Sequence, residues 1–268
     1  MRGGEVRLVY LLPTMMTAGN LIFGFLAILQ IMEGTMLMQQ NSGTEWLQYY
    51  ERSLLFILGA FICDSLDGRL ARLGGQESAF GRELDSLADI VSFGVAPALL
   101  LFKIVLAELP ERLGWIIACM YLAFGAFRLA RFNVLAAASD GGEQLKDFTG
   151  FPIPAAAALI ASITLALLNF YAEERNLGNW KYALAGLMVF LSFMMFSGFK
   201  YPSFKSLDWR SRRPIPKILG AVVLLAAVAV TYRYSLAVLF TAYLLYGFFR
   251  PYVAKRWRPE PPEEAEED

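Results

Sequence analysis

Residues 64–89 read DSLDGRLARLGGQESAFGRELDSLAD, from Asp64 to Asp89. Four aspartates, Asp64, Asp67, Asp85 and Asp89, lie within or beside stretches that are otherwise apolar and helical in length. An ionised carboxylate at membrane depth costs a few kcal/mol even on the most lenient scale, and neighbouring carboxylates repel one another. Such a group is tolerable where positive charge joins it, so the pattern predicts bound divalent cations. An all-oxygen set suits Mg²⁺ or Mn²⁺, or Ca²⁺, and not zinc. Asp64, Asp67, Gly68, Ala71 and Arg72 recur at helical steps and share one face, as do Gly81, Asp85 and Asp89 on the next segment. The Gly74-Gly75 pair between them turns the chain back. The two acidic faces are thereby expected to line one pocket.

Outward from this stretch the chain is built for lipid. Of 268 residues, 57% are hydrophobic and the mean hydropathy is +0.47; a soluble domain holds about 45–50% apolar residues. Eight apolar segments have helical length, at roughly 8–32, 52–73, 81–107, 113–138, 152–172, 180–199, 215–232 and 235–254. Backbone polar groups in a bilayer must be satisfied within the segment, which makes these helices. The expected architecture is all-α, a polytopic membrane bundle of about eight transmembrane helices. Residues 1–258 form a single integral membrane catalytic domain, and the Pro-rich acidic run 259–268 a disordered tail. The apolar stretch after the basic start continues past Gly24 to Ile31 without a small-residue cleavage site, so it reads as a first membrane helix and not a leader.

Composition excludes several chemistries. There is no histidine, which removes Ser-His-Asp hydrolysis, His-ligated zinc and the phospholipase-D type of serine transfer. Two cysteines, Cys63 and Cys119, sit inside apolar segments and make no disulfide framework. The formal net charge of zero offers no field for nucleic acid. With eight spans both termini lie on one side. That side then carries 18 of the 24 Lys and Arg residues, including Arg69, Arg72, Arg82, Arg128 and Arg131, against 6 on the other. The basic excess marks it as cytoplasmic, which places the chain in the cell (inner) membrane with the aspartate pocket and both termini facing the cytoplasm.

Gly68, Ala71 and Gly81 put little or no side chain on the pocket face, so a bulky phosphorylated ligand can approach the backbone. Arg72 and Arg82 at the mouth suit phosphate oxygens. Carboxylates, divalent cation, arginine and space together imply phosphoryl transfer. A plainer reading pairs the aspartates with Arg69, Arg72 and Arg82. A cation transporter is the reading from another class, but the charges cluster near one membrane face and no internal repeat is visible.

These residues resemble the motif of the CDP-alcohol phosphotransferase family, D-x2-D-G-x2-A-R-x8-G-x3-D-x3-D. Every fixed position is filled, by Asp64, Asp67, Gly68, Ala71, Arg72, Gly81, Asp85 and Asp89. The resemblance implies a membrane enzyme with a core of six helices that forms homodimers. Such enzymes move a substituted phosphate from a CDP-linked donor to an alcohol, with release of CMP. It also implies that Asp64, Asp67 and Asp85 are metal ligands, that Asp89 joins the metal site and acts as the general base, and that Gly68, Ala71, Arg72 and Gly81 form the CDP site.

Three further segments are similar to the phosphatidylserine synthases of this family: LPTMMTAGNLIFGFLAI at 12–28, FRLARFN at 127–133 and FTGFPIPAAA at 148–157. In the first, Pro13, Thr17, Asn20 and Gly24 fill recurring positions, while Thr14 departs from the usual Asn. That similarity implies CDP-diacylglycerol as donor and L-serine as acceptor. The same chemistry with glycerol 3-phosphate, inositol, inositol phosphate or choline, or with an ether-lipid CDP donor, stays open. Arg128 and Arg131 lie three apart near the cytoplasmic end of their helix, with Asn133 close by. Two guanidiniums and an amide suit an acceptor's carboxylate or phosphate; the alternative is that the arginines snorkel toward headgroups. Asn20 and Thr17, three apart on one apolar helix, are assigned to the CDP pocket, with an interhelical hydrogen bond as the alternative for Asn20.

Overall fold

The computed structural model describes residues 3–40, 43–73, 79–110, 112–138, 148–174, 178–198, 200–201 and 232–256. The helices are α1 (Gly3–Gln39), α2 (Trp46–Leu73), α3 (Ala79–Asp89), α4 (Ala96–Ile104), α5 (Leu113–Ala138), α6 (Ile153–Glu174), α7 (Trp180–Phe196) and α8 (Tyr232–Arg256). A π-helical turn, Ile90–Val95, joins α3 to α4. The strands β1 (Phe148–Thr149) and β2 (Lys200–Tyr201) pair antiparallel, Phe148 opposite Tyr201. This small ladder is an addition to the all-α expectation. The expected helix at 215–232 and the acidic tail lie outside the described residues.

The third expected segment, 81–107, is not one regular helix. It is α3, the π turn and α4 in series. Pro97 stands in the first turn of α4 and has no N–H to offer the carbonyl of Phe93, its partner in a regular helix. Tyr121 of α5 supplies a replacement, its hydroxyl donating to Phe93 O at 3.1 Å. On the other side Ser92 Oγ donates to Asn20 O of α1 at 2.9 Å. The irregular turn is thus gripped by two neighbouring helices directly after Asp89.

Three stretches are long and apolar enough to cross a membrane: Pro13–Gln39, Phe80–Ile104 and Leu113–Leu135. The apolar parts of α6, α7 and α8 are shorter, Ile153–Leu168, Trp180–Phe196 and Ser235–Tyr246. In α2 the apolar run ends in Asp64, Asp67, Arg69 and Arg72, which lowers its hydropathy where the chemistry lies. Large apolar side chains stay exposed along the outer faces, among them Ile22, Phe25, Leu29, Ile62, Trp115 and Phe193. Lipid is the solvent that such surfaces require, and the chain is a membrane protein.

α1 and α2 pack along their length, and α1 also meets α3, the π turn and α4. Gly24 permits this crossing: a Cβ there would lie 2.7 Å from Ser92 Cα and also strike Ser92 Oγ. The centre is α6, which contacts α2, α4, the π turn, α7 and α8. Its buried face, Ala155–Ala158, Leu159, Ile160, Ala161 and Leu165, is mostly alanine, and small residues let neighbouring helices approach closely in lipid. The link after α4 meets the start of α7 through Lys181 Nζ and Glu108 Oε2, 3.9 Å apart. This lies beyond the end of the third span opposite to Asp85.

Candidate active site

α2 and α3 deliver the acidic residues from the two sides of the 74–78 connection. Asp64, Asp67 and Asp85 each present a carboxylate oxygen, and the three oxygens lie within 4.8 Å of one another. The cluster is set in the protein: Asp67 and Asp89 are buried, and Asp64 and Asp85 are half-buried. Asp89 stands beside this triad. Four residues separate it from Asp85, about 6 Å along the helix axis at 1.5 Å per residue. It remains within electrostatic reach of Asp64, Asp85 and Asp67.

α1 orients two of the carboxylates with neutral donors. The Thr17 hydroxyl lies 3.1 Å from Asp67 Oδ2 and 3.1 Å from Pro13 O, and its one proton is divided between them. Asn20, fully buried, donates from Nδ2 to Asp89 Oδ1 at 3.0 Å. Thr17 and Asn20, the residues assigned from sequence to the CDP pocket, thus make interhelical hydrogen bonds to two of the carboxylates, the alternative named for Asn20. Asn20 Oδ1 is buried with no protein donor among the described residues. Because Ser92 holds Asn20 O, and Asn20 holds Asp89, the π turn and α1 together fix the orientation of Asp89.

The three residues named for the acceptor separate. Arg128 turns inward, only 9% exposed. It interacts electrostatically with Asp89 and Asp64, and its buried Nε has no acceptor among the described residues. Arg131 is exposed, donates to Phe196 O at 3.4 Å and lies over the Phe196 ring at 6.0 Å. A guanidinium there caps the C-terminal carbonyls of α7. Asn133 donates from Nδ2 to Ser86 Oγ at 2.9 Å, and Ser86 in turn donates to Arg82 O. That chain clamps α5 to α3 between Asp85 and Asp89. Each of the three side chains finds a different neighbour. Gly68 and Gly81 are half-buried beside the cluster. The side chains of Arg69, Ala71 and Arg72 lie outside the described residues.

Sequence reading missed Ser86, Ser92 and Tyr121. Single hydroxyl residues in apolar helices carry no distinctive signal; only Gly94 and Pro97 hinted at an irregular backbone beside Asp89.

A helical membrane fold with a carboxylate triad at the junction of α2 and α3 defines a class, and comparison with known families agrees: the model of the CDP-alcohol phosphatidyltransferase family matches residues 10–196. The chain belongs to this family. The matched residues contain α1 to α7. Among curated relatives is the CDP-diacylglycerol–serine O-phosphatidyltransferase of Helicobacter pylori strain J99, 34% identical over 242 residues, which are 90% of this chain and 91% of that protein. The Bacillus subtilis protein of the same name is 34% identical over 194 residues, 72% of this chain and 91% of its own length. The archaetidylserine synthase of Methanothermobacter thermautotrophicus is 34% identical over 194 residues, 71% and 69% of the two chains.

The donor set fits the divalent metal on which this family generally depends. Three oxygens within 4.8 Å match the spread of ligands around one hard cation bound at about 2.0–2.6 Å. Like charges so placed repel strongly unless a cation joins them.

Proposed function

We propose that the chain transfers the phosphatidyl group of CDP-diacylglycerol to L-serine, giving phosphatidylserine and CMP. The observation that carries the reading is the gathered triad Asp64, Asp67 and Asp85 with Asp89 one turn away. Asp64, Asp67 and Asp85 would hold Mg²⁺ or Mn²⁺, with Asp89 contributing from its edge. A cation held there would supply charge neutralisation for the pyrophosphate and for the charge that grows on departing CMP. Gly68, Ala71, Arg72 and Gly81 seat the CDP moiety: the small residues admit it, and the guanidinium meets its phosphate oxygens.

Asp89 is the general base. Asn20 fixes one carboxylate oxygen, and the other takes the proton of the serine hydroxyl as its oxygen bonds to the β-phosphorus. The bond from that phosphorus to the CMP oxygen breaks, and its electron pair leaves with CMP. No covalent enzyme intermediate is needed. Holding the hydroxyl about 3–3.5 Å from phosphorus supplies several kcal/mol on its own. Arg128, buried beside Asp64 and Asp89 with an Nε–H that has no acceptor among the described residues, receives the acceptor's carboxylate. Inositol and choline have no such anionic group, whereas the phosphate of glycerol 3-phosphate or inositol phosphate would meet the same guanidinium.

The names of the relatives agree on serine and differ in the lipid. Lys and Arg asymmetry supports a cytoplasmic site in the cell membrane, and the family resemblance supports a homodimer. The test is CMP release by purified protein from CDP-diacylglycerol and Mn²⁺ or Mg²⁺ with each alcohol in turn. L-serine is expected to raise CMP release at least tenfold over the acceptor-free rate. Glycerol 3-phosphate, myo-inositol or choline succeeding where L-serine fails would overturn the assignment.

A further inference from the structure

A hydroxyl side chain inside a helix has a local acceptor at hand, a carbonyl one turn back. Thr35, Ser65, Ser86, Ser192 and Thr241 all take it, each donating to the carbonyl four residues earlier. Ser92 does not. Its hydroxyl crosses to α1 and donates to Asn20 O at 2.9 Å, 72 residues away in sequence. That carbonyl has a regular partner within α1, the N–H of Gly24 four residues on, so Ser92 is its second donor.

The helix crossing is shaped around this bond. Ser92 is fully buried, and a Cβ at position 24 would lie 2.7 Å from Ser92 Cα. On the far side Tyr121 holds Phe93 O at 3.1 Å, and a Cβ on Gly94 would come within 2.9 Å of Leu122 Cδ1. The π turn is pressed between α1 and α5 with little room to slide. Asn20 then meets the segment 89–92 twice. Its carbonyl accepts from Ser92, and its Nδ2 donates to Asp89 Oδ1 at 3.0 Å. A single bond would leave α1 free to roll about it. Two bonds, from one residue to positions three apart, fix distance and roll together. The triad is held separately, by Thr17 on Asp67.

We propose that Ser92 is a positioning residue for the transfer reaction. Through Asn20 it sets the direction in which Asp89 presents its second carboxylate oxygen to the acceptor hydroxyl. The proposal rests on the reading of Asp89 as general base and adds to it the device that aims the base.

Ser92→Ala tests this, because it removes one oxygen and leaves Asn20 O its helical bond. The kcat is expected to fall about 10–10²-fold, the scale of loss when a reacting group is displaced by a fraction of an ångström to an ångström. KM for CDP-diacylglycerol and Mn²⁺ binding to the metal-free protein stay within about twofold, as for a loss felt only in the transition state. The same substitution is then made in Asp89→Asn, with residual CMP release followed in single turnover. A hydroxyl that acts through Asp89 has no base left to aim there, so the double variant stays within about twofold of Asp89→Asn. A hydroxyl that only supports the fold lowers both backgrounds by the same factor, and that result overturns the proposal. So does a normal kcat in Ser92→Ala, or a loss of Mn²⁺ binding together with kcat. Near-normal turnover by Asp89→Asn overturns the base reading and the role of Ser92 with it; a crippled Asp89→Asn beside a normal Ser92→Ala removes the role of Ser92 alone.

Discussion

Asp89→Asn is expected to lower kcat by about 10²–10⁴-fold, the contribution of a positioned general base, while CDP-diacylglycerol still binds. The substitution is nearly isosteric, and an amide oxygen can still accept from Asn20 Nδ2, whose bond to Asp89 Oδ1 is 3.0 Å long. What is lost is the capacity to take a proton from the acceptor hydroxyl. Asp89 stands beside the triad and not within it, so a cation held by the other three keeps most of its ligands. The predicted signature is a collapse of kcat with KM for CDP-diacylglycerol within a few-fold of wild type. Steady-state kinetics on purified protein, with nucleotide binding measured in parallel, separates the two effects. A variant that retains near-normal turnover contradicts the assignment of Asp89 as base.

Neutralising the triad acts differently. Asp67→Asn, and likewise Asp64→Asn or Asp85→Asn, should cut activity by more than about 10³-fold, since charge stabilisation by a bound cation is worth several kcal/mol. Here nucleotide affinity falls too. Asp67 is the most informative of the three because it is buried and already held by Thr17, so its geometry survives the change. Raising Mn²⁺ should partly restore Asp64→Asn and Asp85→Asn. Chelation of wild type should abolish CMP release, and added Mg²⁺ or Mn²⁺ should return it. Full activity after exhaustive chelation would contradict a metal-dependent site.

Much of the site was legible because polar residues in lipid are conspicuous. A carboxylate in an apolar helix costs too much to be incidental, so Asp64, Asp67, Asp85 and Asp89 stood out by type and by helical step. The ends of α5 were read as 113–138 and are Leu113–Ala138, since hydropathy changes sharply at both. The break in the third span was not read. It depends on Pro97 denying a donor to Phe93 O and on Tyr121, 28 residues away in sequence, providing one, and no local pattern encodes such a partner. The dispersal of Arg128, Arg131 and Asn133 was invisible for the same reason. A spacing of three places side chains on one helix face, but the neighbours, Phe196 for Arg131 and Ser86 for Asn133, decide where each one points.

All of these readings require that α2 and α3 together hold a divalent cation. Electron paramagnetic resonance of Mn²⁺ added to metal-free protein, wild type against Asp64→Asn/Asp85→Asn, measures this without reliance on turnover. Wild type should bind Mn²⁺ with a spectrum that changes when CDP is added, and the double variant should bind none at the same concentration. Equal binding by the two proteins, or a wild-type signal indifferent to CDP, would contradict it.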